Sequence, residues 1–366
     1  MPLQIGIIGL PNVGKSTIFN VLTQAQNAEV ANYPFCTIEP NQAIVPVPDV
    51  RLDKLADMVG VSKSIHTTIE FLDIAGLVKG ASQGEGLGNQ FLGTIRNTDA
   101  LLHVVRCFED PNVIHISEYP DPREDIEIIQ FELILADLEQ INKKIEKLGR
   151  QSKGDKTLLT HLAVAEKIKG HLETGALLTT FKKTGDPVYA AINKELQFLT
   201  AKPVIYAINI AEENLSSPHP ALDAIKEIAI NQNAEVVQIS ALLESELNIL
   251  DNSEKSDYME LSGIQVSGLE QVILTGYKTL NLISFFTYND QEARAWTISD
   301  GSTAPEAAGQ IHTDFQQGFI KAEVIPFTVF DNFGSTAAAK EAGKLQIEGK
   351  DYLVQDGDVI FFRFNV

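Results

Sequence analysis

The chain has 366 residues, which at roughly 150 per domain implies two or three domains. Hydrophobic residues make up 44% and charged residues 21%, a composition that excludes a wholly disordered chain. With 29 basic against 49 acidic residues the net charge is −20 and the pI about 4.7, which excludes a generally basic, nucleic-acid-coating protein but not a local basic patch.

No stretch reaches the roughly 18 to 20 apolar residues that span a bilayer, so no membrane partner is expected, and nothing points to DNA. The N-terminus lacks a basic region and a cleavage site, so no signal peptide is expected. Cys36 and Cys107 are the two cysteines, and the expectation is free thiols in a reducing cytoplasm.

Short apolar runs bounded by turn residues predict buried parallel strands at 3–8, 69–74, 100–105, 203–208 and 235–239. Helical patterns intervene at Ser16–Thr23 and Pro220–Asn231, so the class is α/β with a doubly wound, mostly parallel sheet. From about 126 to 198 the pattern breaks. Phe131, Ile134, Leu138, Ile141, Ile145 and Leu148 repeat at 3-4-3-4-3 spacing, and a second stripe runs from Leu158 to Leu172. Two antiparallel helices with a polar tip are predicted. Six basic residues (Lys143, Lys144, Lys147, Arg150, Lys153, Lys156) crowd that tip against Glu146 and Asp155, either a solvated helix end or a finger aimed at RNA phosphate. Residues 282–366 carry short strand patterns at 282–287, 295–299, 323–325 and 359–365 around a helix at 303–312, which suits a small α+β domain with a mixed sheet and one main helix.

The strongest chemical signal is Gly9-Leu10-Pro11-Asn12-Val13-Gly14-Lys15-Ser16, a P-loop between a strand and a helix. Its glycines admit backbone N–H groups to phosphates, and the helix points its positive end at them. Lys15 would reach the β- and γ-phosphates and Ser16 would bind Mg2+. Asp73-Ile74-Ala75-Gly76 follows at a strand end: Asp73 is a candidate magnesium ligand, and the Gly76 N–H a contact for the γ-phosphate. Thr37, in the intervening loop, is a third candidate metal ligand. Asn12 is a candidate ligand for a monovalent cation, K+. Leu77 stands where related hydrolases carry a water-orienting Gln, so His115 becomes the candidate for positioning water, although a lone histidine more often packs. Five glycines within 76–88 suggest a switch loop beside the γ-phosphate.

Guanine-specific relatives read their base with Asn-Lys-x-Asp. The corresponding residues here are Asn209-Ile210-Ala211-Glu212, without the lysine and with a longer acid. A pocket rebuilt for adenine is the reading; a degenerate GTP site is the alternative. Ser240, Ala241 and Glu244 are expected to lie against the base.

With the motifs at 9–17, 35–41, 73–82, 84–92 and 307–315, the chain resembles the YchF subfamily of Obg-like P-loop proteins along essentially its whole length. The resemblance implies an OBG-type G domain (1–125 and 199–281), a coiled-coil helical insertion (126–198) and a C-terminal TGS domain of β-grasp form (282–366). It implies ATP in preference to GTP, slow Mg2+-dependent hydrolysis, and association with the ribosome through rRNA or ribosomal proteins. It carries nucleotide contacts onto Asn12, Val13, Gly14, Lys15, Ser16, Thr17, Asn209, Ile210 and Glu212, and magnesium contacts onto Ser16 and Thr37. Base contacts beyond Ser240 are left open, because Ala-Leu-Leu-Glu-Ser-Glu follows it. The alternatives are a nucleotide-sensing adaptor with incidental hydrolysis and a GTP-driven translation factor.

Overall fold

A computed structural model describes residues 3–29, 41–74, 87–110, 113, 121–182, 185–215 and 220–365. Thr37, Gly76, Leu77 and His115, together with Cys36 and most of the 76–88 segment, lie outside them. In chain order the strands are β1 (Gln4–Ile8), β2 (Gln42–Pro46), β3 (Ser64–Ile65), β4 (Thr68–Asp73), β5 (Ala100–Arg106), β6 (Val204–Asn209), β7 (Glu235–Ile239), β8 (Leu282–Tyr288), β9 (Ala293–Ser299), β10 (Phe319–Pro326), β11 (Gln346–Glu348) and β12 (Asp358–Phe364). The helices are α1 (Lys15–Glu29), α2 (Val50–Val59), α3 (Leu87–Arg96), α4 (Pro122–Gln151), α5 (Leu159–Glu173), α6 (Pro187–Leu196) and α7 (Pro220–Gln232). They continue as α8 (Ala241–Leu247), α9 (Asn252–Leu261), α10 (Gly268–Thr279), α11 (Ala304–Ile311), α12 (Thr313–Gln317), α13 (Phe327–Phe333) and α14 (Thr336–Glu341).

The chain divides into two compact units. The first holds Met1–Ala28, Thr37–Ile44 and Glu70–Gly276. Its sheet has the order β2-β4-β1-β5-β6-β7, and β4, β1, β5, β6 and β7 pair in parallel. Every residue of β5 is buried, as a strand covered on both faces requires. The strand after β1 in this parallel set, β4, lies on one side of it and β5 on the other. The carboxyl end of β1 is therefore the switch point where such sheets take ligands.

The insertion begins with the 30-residue helix α4, opened by Asp121 as N-cap with Pro122 in the first turn. Ile134, Ile141 and Leu148 pack against Val164, Ala165, Ile168 and Leu172 of α5, the two stripes expected from the sequence. Phe131 does not join that seam and is 60% exposed. The early turns of α4 instead bury Ile126, Ile129 and Leu133, so the inward stripe shifts along the helix. A third helix, α6, absent from the sequence reading, completes this core with Tyr189 and Ile192. Asp137, fully buried, accepts the Leu199 and Thr200 N–H groups at 3.1 and 2.8 Å and lies 3.3 Å from Arg96 at the end of α3. Those donors are what make a buried carboxylate tolerable.

The second unit holds Glu29–Cys36, Val45–Ile69 and Tyr277–Val366. Its sheet has the order β11-β10-β12-β8-β9-β3; β12–β8 and β9–β3 are parallel and the other pairs antiparallel. Neighbouring Phe285 and Phe286 face opposite ways and seed two cores. Phe286 packs with Leu52 and Leu55 of α2 and with Phe330, and Phe285 packs with Ala304 and Ala308 of α11. The one main helix expected in this region is therefore joined by α12, α13, α14 and the distant α2. Among the described residues no helix is long and apolar enough to cross a membrane.

Candidate nucleotide site

The buried run of β1 ends at Ile8, and the chain turns through Gly9–Gly14 into α1. Two glycines are obligatory. At Gly9 (φ +150°) a Cβ would lie 2.5 Å from the Val104 carbonyl oxygen, and at Gly14 (φ +104°) 2.3 Å from Asn209 Nδ2. Asn12 takes φ 62°, a left-handed conformation that asparagine tolerates better than most side chains. The Gly14 carbonyl accepts the Ile18 N–H at 3.0 Å and so opens α1, whose leading N–H groups form an anion site. Ser16 is exposed at this helix start and Thr17 half-buried, while Leu10 and Val13 anchor the loop in the core.

Lys15 is buried, and its Nζ donates to the Leu10 carbonyl at 2.6 Å. Burial pulls its pKa down to about 8, partly offset by the attraction of Asp73. Burial pushes the Asp73 carboxyl up, partly offset by Lys15. The two residues that the sequence assigned to phosphate and metal are therefore electrostatically coupled across the ends of β1 and β4. An exposed hydroxyl, a carboxylate, a buried lysine and a cradle too tight for any Cβ fit a magnesium nucleotide. His103, on β5, is also buried; burial, then the charge on Lys15, pulls its pKa down to about 3. It is a neutral core residue at ordinary pH.

The base end is more elaborate than the motif suggests. Asn209 Nδ2 donates to the Val13 carbonyl at 2.9 Å, and its Oδ1 accepts the Ala241 N–H at 3.0 Å. Asn209 thus braces the P-loop against the start of α8. Ile210 is buried among Val105, Tyr206 and Ile225, and its N–H donates to the Ile239 carbonyl at 2.9 Å. The Ser240 hydroxyl caps α8 by accepting the Leu243 N–H at 3.5 Å. Glu244 has a second neighbour that the sequence did not signal. It is buried beside Ser267, Gly268 and Leu269 at the start of α10, and it lines one cavity with Ser240 and Leu243. A buried carboxylate needs donors, and the start of a helix is a source of them. Glu212, half-buried, accepts a hydrogen bond from the Tyr258 hydroxyl. Nothing in the sequence around Tyr258 signals that contact.

Residues 4–160 match a family described as "50S ribosome-binding GTPase", and residues 282–365 match the C-terminal family of YchF GTPases, described as a protein of unknown function. The chain is 50% identical over 367 residues to the "Ribosome-binding ATPase YchF" of Shigella flexneri and 48% identical over 369 residues to that of Bacillus subtilis (strain 168), covering 100% of both chains in each case. The solved structure of the Schizosaccharomyces pombe YchF GTPase superposes with a TM-score of 0.88 at 36% identity, over 99% of this chain and 97% of that one. With near-half identity from end to end and the same fold throughout, the chain belongs to the YchF family.

Proposed function

We propose that this protein is a cytoplasmic, Mg2+-dependent ATPase that binds the ribosome and uses its nucleotide state as a switch. The observation that carries the enzymatic reading is the P-loop, with Lys15 buried against its own backbone and coupled to Asp73 at a sheet switch point. Ser16, Asp73 and Thr37 are the residues that would hold magnesium, which when bound neutralises charge on the phosphates. Lys15 moves its ammonium from the Leu10 carbonyl to the phosphate oxygens. The α1 N-terminus adds oriented N–H groups that need no rearrangement during reaction. Gly76 keeps its sequence-based role at the γ-phosphate, His115 that of water positioning, and Asn12 that of a K+ ligand.

The names of the relatives divide between ATPase and GTPase, and Glu212 without a preceding lysine favours ATP. Competition of ATP and GTP for a bound fluorescent adenine nucleotide tests this: ATP should displace the probe at least about tenfold better, a difference of about 1.4 kcal/mol. GTP displacing it better would return the protein to the GTPases.

Ribosome binding draws support from the relatives' names and from the helical tip. Not all of the tip's charge is available, however. Lys144 is only 13% exposed and pairs with Glu195 at 2.5 Å, Lys143 pairs with Glu139 at 2.5 Å, and Arg150 lies 3.9 Å from Glu146. Replacing Lys147, Lys153 and Lys156 with Gln should flatten the salt dependence of ribosome co-sedimentation if the tip meets RNA phosphate. An unchanged dependence would move the contact elsewhere.

A further inference from the structure

A guanidinium carries its N–H donors in one plane and has no acceptor, so a buried arginine must find several oxygens at once. Arg106, the last residue of β5, is 3% exposed and finds them in the loop that follows it. Its Nε donates to the Phe108 carbonyl at 3.2 Å, and its two terminal nitrogens donate to the Val113 and Asp110 carbonyls at 3.0 and 3.3 Å. The same group lies over the Phe108 ring, 4.7 Å from its centre. The Val113 N–H closes a turn on the Asp110 carbonyl at 3.1 Å, so that oxygen serves both the turn and the arginine. The root of the loop is fixed as well: the Cys107 N–H donates to the Asn209 carbonyl at 2.8 Å. In the sheet β5 lies between β1 and β6, so this loop leaves the carboxyl edge between the P-loop and the base motif. The close approach of Gly9 to the Val104 carbonyl oxygen sets the P-loop directly against β5.

We propose that Arg106 is a positioning residue for hydrolysis, which shapes the loop after β5 so that the chain leading to His115 starts from a fixed point at Val113. Val113 is two residues before His115, the candidate for positioning water. This deepens the hydrolase reading above and rests on it. Extended chain covers roughly 3.5 Å per residue, so a group two residues past a fixed point has a reach of about 7 Å, and one nine residues past it about 30 Å. With the Arg106 contacts in place the fixed point is Val113; without them the nearest one before it is the end of β5, nine residues before His115. Order supplied in advance by the loop need not be gained again when a group is aligned for reaction. Lysine cannot replace arginine here, because a point charge on a flexible stem does not hold three carbonyls around one plane.

The test is single-turnover ATP hydrolysis by the full-length protein with Mg2+, measured beside the ATP dissociation constant. Arg106→Lys should slow hydrolysis about tenfold and leave the dissociation constant within about twofold. In a His115→Ala background the same substitution should slow hydrolysis no further, because the two residues act through one group. Amide exchange adds a check that needs no substitution: in nucleotide-free wild-type protein the Val113 N–H should already be protected. In Arg106→Lys it should exchange at least about tenfold faster while β5 is unchanged. If His115→Ala hydrolyses ATP as fast as wild type, the water-positioning reading fails and this role for Arg106 fails with it. If His115→Ala is slow, three results overturn the inference while the hydrolase reading stands. Arg106→Lys may match wild type, weaken ATP binding as much as hydrolysis, or slow the His115→Ala protein as strongly as the wild type; in each case Arg106 serves only the fold. An unprotected Val113 N–H in wild-type protein overturns it equally.

Discussion

The phosphate end and the base end of the nucleotide site are built on different principles. At the proposed phosphate end the backbone forms the cradle, and neighbouring atoms enforce its path: the Val104 carbonyl oxygen stands behind Gly9 and the Asn209 amide behind Gly14. At the proposed base end the candidates are side chains, each held by a hydrogen bond: Asn209 by the Val13 carbonyl and the Ala241 N–H, Ser240 by the Leu243 N–H, Glu212 by the Tyr258 hydroxyl. A backbone cradle has few alternatives, so it tolerates almost no substitution. Side-chain contacts can be retuned one at a time.

The sharpest attempt to break this contrast is Gly14→Ala. Its Cβ meets a braced amide in a left-handed backbone conformation, so ATP and GTP affinity should both fall by about a hundredfold or more, read by calorimetry. Binding of either nucleotide near wild-type strength would mean that the cradle is far more pliant than its contacts suggest. Lys15 probes the same end through pH. Its ammonium is present in the free site below about pH 8 and is lost as pH rises through that value. ATP affinity should therefore be flat toward neutral pH and fall by up to about tenfold per unit above pH 8, with proton uptake on binding. Lys15→Met should bind weakly and abolish that pH dependence.

Asn209→Ala crosses from one end to the other. Losing both brace contacts should weaken ATP and GTP alike by about tenfold, without changing their ratio, in the displacement assay. A changed ratio would make Asn209 a base reader as well as a brace. The smallest nucleotide effect is expected of Glu244→Gln. It should leave the GTP-to-ATP ratio untouched and lower unfolding free energy by about 1 kcal/mol in urea titrations, because the carboxylate is buried beside the positive end of α10.

The same contrast governs what could be read from sequence. The cradle was legible because glycine and lysine spacing between a strand and a helix is a local pattern, and the strands were legible as short β-branched runs. The base end was legible only as far as its own segment. Glu244 follows Ser240 closely in sequence, but its neighbours at 267–269 come from another segment. Tyr258 sits in a polar helix with no periodic signal. Phe131 was misassigned because 3-4 spacing records a stripe but not where one packing partner gives way to the next. The stripe of Leu52, Leu55 and Ala56 on α2 likewise shows that a partner exists without naming it.

That partner has a consequence for how the protein is made. Residues 50–65 are synthesised early, yet Leu52 and Leu55 are buried against Phe286, Phe330 and Val359, and β3 pairs with β9. Arg51 reaches Asp356 at 2.8 Å, a partner 305 positions later. During vectorial synthesis this segment must wait, with apolar surface uncovered, until nearly the whole chain has left the exit tunnel. A chain stalled or cleaved before residue 282 keeps its complete P-loop but carries an orphaned α2. An unfinished copy therefore leaves exposed the apolar face of a helix from its first sixty residues.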